Sequence, residues 1–107
     1  MKVIDYDPQF WFLLQDESSY YLSIRCQQSF AEYELLIQLT QDECKEHHAS
    51  GHGYIDELAE RVNYRVRDYQ SRDLSKQLGH QVHQIIMSWK ATQDEDDFQK
   101  GTATFPK

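Results

Sequence analysis

The sequence predicts a single α+β domain, an N-terminal antiparallel β-meander of about three strands packed against two or three C-terminal helices. Three observations predict it: an apolar run closed by turn chemistry at residues 16–19, a two-residue alternation through residues 20–39, and apolar spacings of three and four from residue 44 onward. A chain of 107 residues is long enough for one hydrophobic core and too short for two. The 39% hydrophobic content is modest, but 13% of the residues are aromatic, and aromatic rings bury large areas each, so composition permits a folded core.

In chain order, Phe10, Phe12 and Leu14 fall on one side of the first predicted strand and Trp11 and Leu13 on the other, which makes that strand central or covered on both faces. Asp16-Glu17-Ser18-Ser19 supplies the turn. Tyr20, Leu22, Ile24 and Cys26 alternate with Tyr21, Ser23, Arg25 and Gln27, the pattern of a strand with one buried face. A third alternation places Ala31, Tyr33, Leu35, Ile37 and Leu39 inward and Glu32, Glu34 and Gln38 outward, with Leu36 alone out of pattern.

Thr40-Gln41-Asp42-Glu43 then reads as a capping box, with Leu39 and Cys44 as its hydrophobic staple. From Cys44 a stripe of helical period continues through His48, Gly51, Ile55, Leu58, Val62, Val66 and Tyr69. Because the register survives Gly51 and Gly53, a kinked long helix is expected rather than two helices with a hinge. Leu74, Leu78, Val82, Ile85, Ile86 and Trp89 predict a last amphipathic helix, capped by Asp73 or Ser71. The domain is expected to span residues 1–90, with residues 91–107 as an acidic, flexible tail around Asp94-Glu95-Asp96-Asp97.

The formal charge of -7 disfavours a nucleic-acid partner and favours a basic protein. No secretory leader and no apolar run long enough to span a bilayer is read in the chain, and two cysteines fit reduced thiols, so a cytoplasmic protein without membrane association is expected. No cofactor is expected, since the four glycines never approach the spacing of a phosphate loop.

Catalytic chemistry has little to stand on here. His48 and His52, four residues apart, would share one face of a continuous helix, with Cys44 a turn earlier and His47 adjacent; this is the basis of an alternative reading as a metal-dependent enzyme. Ala49, however, occupies the position where the familiar zinc-enzyme motif carries its Glu. Cys44 in a first helical turn would have a lowered pKa if exposed, whereas Cys26 falls on an inward strand face. No nucleophile sits on a glycine-framed turn, and the chain reads as a non-enzyme.

An interaction surface remains. Glu32 and Glu34 on the outer face of the third strand and Asp16 and Glu17 in the first turn are expected to form one acidic patch, with Trp11 and Tyr21 as apolar anchors. The competing expectation is that Trp11 and Tyr21 pack beneath a covering helix.

Trp11-Phe12-Leu13-Leu14, Tyr20-Tyr21-Leu22, Tyr33 with Leu35-Leu36-Ile37, Gly53-Tyr54-Ile55 with Leu58-Ala59, and Trp89 resemble the small bacterial immunity proteins of polymorphic or contact-dependent toxin systems, over roughly residues 1–90. The resemblance implies a cytoplasmic, non-enzymatic inhibitor that blocks a cognate toxin domain, commonly a basic one. It transfers no functional residue. The alternative is a regulatory or housekeeping module, homodimeric through an uncovered sheet face or edge.

Overall fold

The computed structural model describes residues 1–8, 10–28 and 31–104, with the side chains of residues 27, 28, 31–33 and 94–104 left outside the description. Four strands, β1 (Lys2–Asp7), β2 (Trp11–Asp16), β3 (Ser19–Gln28) and β4 (Ala31–Gln38), form an antiparallel meander in the order β1-β2-β3-β4. Helices α1 (Gln41–Ser50), α2 (His52–Tyr64) and α3 (Val66–Tyr69) follow, then a 3-10 turn over Gln70–Arg72 and the long α4 (Ser75–Thr104). The α+β class stands, and β1 adds a strand to the predicted meander.

Strand β1 escapes a period-two reading because it is bulged. Val3 pairs with Leu14 and Asp5 with Leu13, so Ile4 is the extra residue and the alternation reverses there. Val3 and Tyr6 consequently share the face of Leu14 and Phe12, while Asp5 and Asp7 share that of Leu13 and Trp11.

Both faces of the sheet are covered. On one, Trp11, Leu13, Leu22, Ile24, Cys26, Leu35, Ile37 and Leu39 pack against Ile55, Leu58, Ala59, Val62 and Val66 from α2 and α3. On the other, Leu14 and Leu36 pack with Val82 and Ile86 of α4, flanked by Val3, Phe12, Tyr21, Leu74 and Leu78. Each such buried side chain contributes about 1.5–3 kcal/mol relative to exposure. Leu36 thereby loses its oddity: it faces away from α2 because α4 covers it.

The junction into α4 is fixed by the edge of β4. The Leu36 N–H donates to Asp73 Oδ1 at 3.0 Å, and its carbonyl accepts from the Leu74 N–H at 2.7 Å. Asp73 Oδ1 also accepts from the N–H and hydroxyl of Ser75, at 3.1 and 2.6 Å, so of the two expected caps it is Asp73 that opens the helix. The same groups occupy part of an otherwise unpaired strand edge.

The capping box at Thr40 forms as expected, with both reciprocal bonds present. The kinked long helix does not form. Gly51 adopts φ 63°, ψ -137°, ending α1 at Ser50 and starting α2 at His52, so the segment is two helices with a hinge. The apolar stripe misled because only its α2 and α3 members are core; α1 has no buried residue. Replacing Gly51 with Ala meets no neighbouring atom, so its cost is backbone strain alone. A loss of about 1–3 kcal/mol is expected in urea unfolding, against little change for Gly53→Ala. The expected tail, residues 91–107, falls largely outside the described side chains; α4 itself extends to Thr104.

Candidate functional site

The sheet is flatly covered by α2 but not by α4. Between α4 and the sheet lies a cleft of about 720 Å³, within the usual range of ligand pockets. Small residues open it. Ser23, at the centre of β3, and Ser75 and Gly79, on the first turns of α4, all line the space, and a Cβ on Gly79 would meet only Ser75 Cβ at 3.8 Å. Phe12, Leu36, Val82 and Ile86 provide the apolar lining.

One wall is aromatic. Trp89 meets Tyr6 edge-on at 4.7 Å between centroids and Phe12 at 5.7 Å, an arrangement favoured by the ring quadrupoles. The Lys90 ammonium lies 5.3 Å from the Phe12 centroid, on the ring face. Charged and titratable side chains also line the cleft: Arg25 and Glu34, cross-strand partners in β3 and β4, and His83 from α4. Ser23 is only 8% exposed. Tyr6 and Met87, at 40% and 50% exposure, are two of the large apolar side chains left open to solvent among the described residues, and both line this cleft.

The sequence-predicted acids are not gathered into one patch. Glu34 pairs with Arg25, whose N–H bonds to Phe10 O, whereas Asp16 and Glu17 stand at the other end of β2, about 20 Å along an extended strand. Asp16 lies 3.7 Å from the Met1 ammonium, and Glu17 is an exposed turn residue with φ 55°. The Glu32 side chain lies outside the described residues. Of the two aromatic anchors, Trp11 is fully buried against α2 and donates its indole N–H to Asp56 Oδ1 at 3.1 Å, so it is out of a partner's reach. Tyr21 is half-buried in the layer under α4. The covering-helix alternative is what the fold adopts.

The histidine pair is separated by the break at Gly51. His52 Nδ1 lies 2.9 Å from Asp5 Oδ2 with its ring against Trp11, while His48 Nε2 lies 3.3 Å from the Tyr20 hydroxyl. The shared face required of a His48 and His52 metal pair is therefore lost. Among the described residues no group of three or more His, Cys, Asp or Glu side chains is placed to hold a metal. His47 packs against Tyr20 and His48; burial, then the neighbouring His48, pulls its pKa down, opposed by Asp5.

Neither thiol is activated. Burial, with Asp73 nearby, pushes Cys26 up to about 11, and burial together with Glu43 raises Cys44, so the expected first-turn lowering is outweighed. Among the described residues no helix is long and apolar enough to cross a membrane.

Comparison with protein-family models, with curated proteins and with solved structures finds no match to this chain. The site is accordingly read from its own chemistry. Sequence reasoning reached Glu34, Phe12, Val82, Ile86 and Trp89 as strand or stripe residues, but missed Tyr6, Ser23, Gly79 and Met87 as parts of one cleft.

Proposed function

We propose that this chain is a non-enzymatic binding protein of the cytoplasm, an immunity-type inhibitor that blocks a cognate toxin domain, and that the cleft under α4 receives a segment of that partner. The observation that carries the reading is the coincidence of the cleft with exposed apolar side chains: Tyr6 and Met87 stand open at a site walled by Phe12 and Trp89. Aromatic and Met side chains in a recess, bordered by charge, are the composition of interface anchors. The overall charge of -7, with Glu17 and Glu34 exposed, speeds encounter with a basic domain.

The test is a search of the neighbouring reading frames for a large secreted protein with a variable C-terminal domain, that domain then being purified and titrated against this chain. A 1:1 complex is expected in size-exclusion chromatography. Met87→Asp should weaken it about tenfold or more, mainly through faster dissociation, and Glu34→Gln should slow association at low salt. Wild-type affinity in Met87→Asp would remove the cleft from the interface, and no complex at all would end the inhibitor reading. A second reading has one observation in its favour: Ile4, 38% exposed, lies on the edge strand β1 beside Tyr6, where a second copy of the chain can pair. Light scattering separates a homodimer from the heterocomplex by mass.

A further inference from the structure

We infer that the last turn of α1 is a proton-operated latch: His47 and His48 dock it on Tyr20 of β3, and a proton on His47 releases it while the sheet and α2 stay folded. The latch stands apart from the cleft, whose described lining includes no residue of α1.

The first support is an orphan nitrogen. His47 Nδ1 is buried and has no hydrogen-bond partner among the described residues. A neutral imidazole can leave that nitrogen as a bare acceptor, but an imidazolium carries an N–H on both nitrogens. The added charge and donor would then sit out of water with nothing to accept from them, which costs more than an unpaired neutral group. Proton uptake therefore requires the ring to leave its place.

The second support is what surrounds the ring. Tyr20 meets His47 edge-on at 5.4 Å and His48 at 5.8 Å between centroids, and the two imidazoles are 5.8 Å apart. His48 Nε2 lies 3.3 Å from the Tyr20 hydroxyl, so a charged His48 has an acceptor where a charged His47 has none at Nδ1. On β1, Asp5 is the acid that favours the proton, but its carboxylate is held by His52 Nδ1 of α2 at 2.9 Å and by the Tyr6 N–H at 2.8 Å. Within α1, Glu43 is committed to Arg72 and Thr40, Cys44 stays a neutral thiol, and Lys45 and Glu46 are exposed. Burial, then the neighbouring His48, holds the His47 pKa below its ordinary value, with Asp5 opposing. The closed position is thus fully favoured above about 6.5 and loses ground as pH falls below it, because the released ring takes the proton more readily.

The third support is how lightly α1 is held. The helix has ten residues, none of them buried. Its first turn is fastened by the Thr40 capping box and the Glu43 to Arg72 ion pair, and Cys44 is half-buried against the core. Beyond Cys44 it is His47 and His48 that meet the sheet, both at Tyr20. Gly51 follows at φ 63°, so the end of α1 can lift without dragging α2. A helix this short is marginal in water without tertiary contacts, and a released last turn unwinds.

Hydrogen exchange and proton NMR on the full chain test the latch together. Protection factors, which divide out the pH dependence of intrinsic exchange, are measured at about pH 7.5 and about pH 5.5, on either side of the ordinary imidazole range. The amides from His47 to Gly51 are expected to lose protection about tenfold, with a midpoint that matches the titration of the His47 ring, while those of β2, β3 and α2 hold theirs. His47→Phe keeps a ring against Tyr20 and takes up no proton, so its α1 should stay protected at the lower pH. Unchanged α1 protection in the wild-type chain at about pH 5.5 overturns the latch. A titrating His47 with intact α1 would show that the imidazole turns out alone. An equal loss in His47→Phe, or a loss that spreads through α2 and the sheet, overturns it as well.

Discussion

Replacing Trp11 with Ala is expected to cost about 3–5 kcal/mol, much of the total stability of a domain of this size. Three interactions meet at this indole. It is fully buried among Leu13, Leu22, Ile24 and the α2 residues Ile55 and Leu58; its N–H donates to Asp56 Oδ1 at 3.1 Å; and the His52 ring lies 5.0 Å away. Removing it opens a cavity between β2 and α2 that neither rigid element can close, and frees Asp56 and His52 at the start of α2. Trp11→Phe separates the terms: most of the packing remains, Asp56 is half-exposed and can bond water, and about 1–2 kcal/mol is expected. Urea unfolding followed by circular dichroism measures both. A loss below about 1 kcal/mol for the Ala variant would contradict the packing described here, since a fully buried aromatic cannot be removed so cheaply.

The strength of the Trp11 effect also explains what the residues disclosed in advance. The alternation Leu22-Ile24-Cys26 and Leu35-Ile37-Leu39 reports a sheet face directly, because side-chain period and burial coincide in a flat strand. The helical stripe Leu74-Leu78-Val82-Ile86 does the same for α4, and Thr40 with Glu43 announces a helix start by its own hydrogen bonds. Trp11 and Tyr21 were ambiguous between anchor and core, since exposure depends on which helix returns over which face. β1 was hidden by its bulge at Ile4, which puts Val3 and Tyr6 on one face three residues apart. Gly51 was hidden by arithmetic: α2 resumes at once after the break, so the apolar spacing runs on while the backbone does not. The cleft was illegible for a different reason. It lies where Ser23 and Gly79, distant in sequence and both small, line one space between α4 and the sheet.

Glu43→Ala should be the largest loss among the charged residues, about 2–4 kcal/mol, because it strands a partly buried cation. Glu43 Oε1 accepts from the Thr40 N–H at 2.8 Å and from Arg72 Nη2 at 2.6 Å, and Oε2 accepts from Arg72 Nη1 at 3.0 Å. Arg72 Nη2 also donates to Gln38 O at 2.8 Å. One carboxylate thus ties the start of α1 to the end of β4 and to the turn before α4, with side-chain exposures of 13% for Glu43 and 28% for Arg72. Such a bidentate, shielded pair escapes most of the screening that empties surface ion pairs of energy. Its pH dependence has a definite sign. Burial alone would raise the Glu43 pKa, but the bonds from Arg72 and Thr40 outweigh it and hold it below its ordinary 4.5. The stabilisation is complete above that value, where the unfolded carboxyl is ionised too, and is lost as pH falls through the lower folded value. His47 acts in a separate window. Its lowered pKa means that the unfolded chain takes up a proton first, so stability declines as pH falls below about 6.5. Urea midpoints measured from pH 8 to pH 3 should therefore fall in two steps, with His47→Gln removing the upper and Glu43→Gln the lower; a profile unchanged by Glu43→Gln below pH 4.5 would show that this carboxylate does not hold the α1, β4 and α4 junction together.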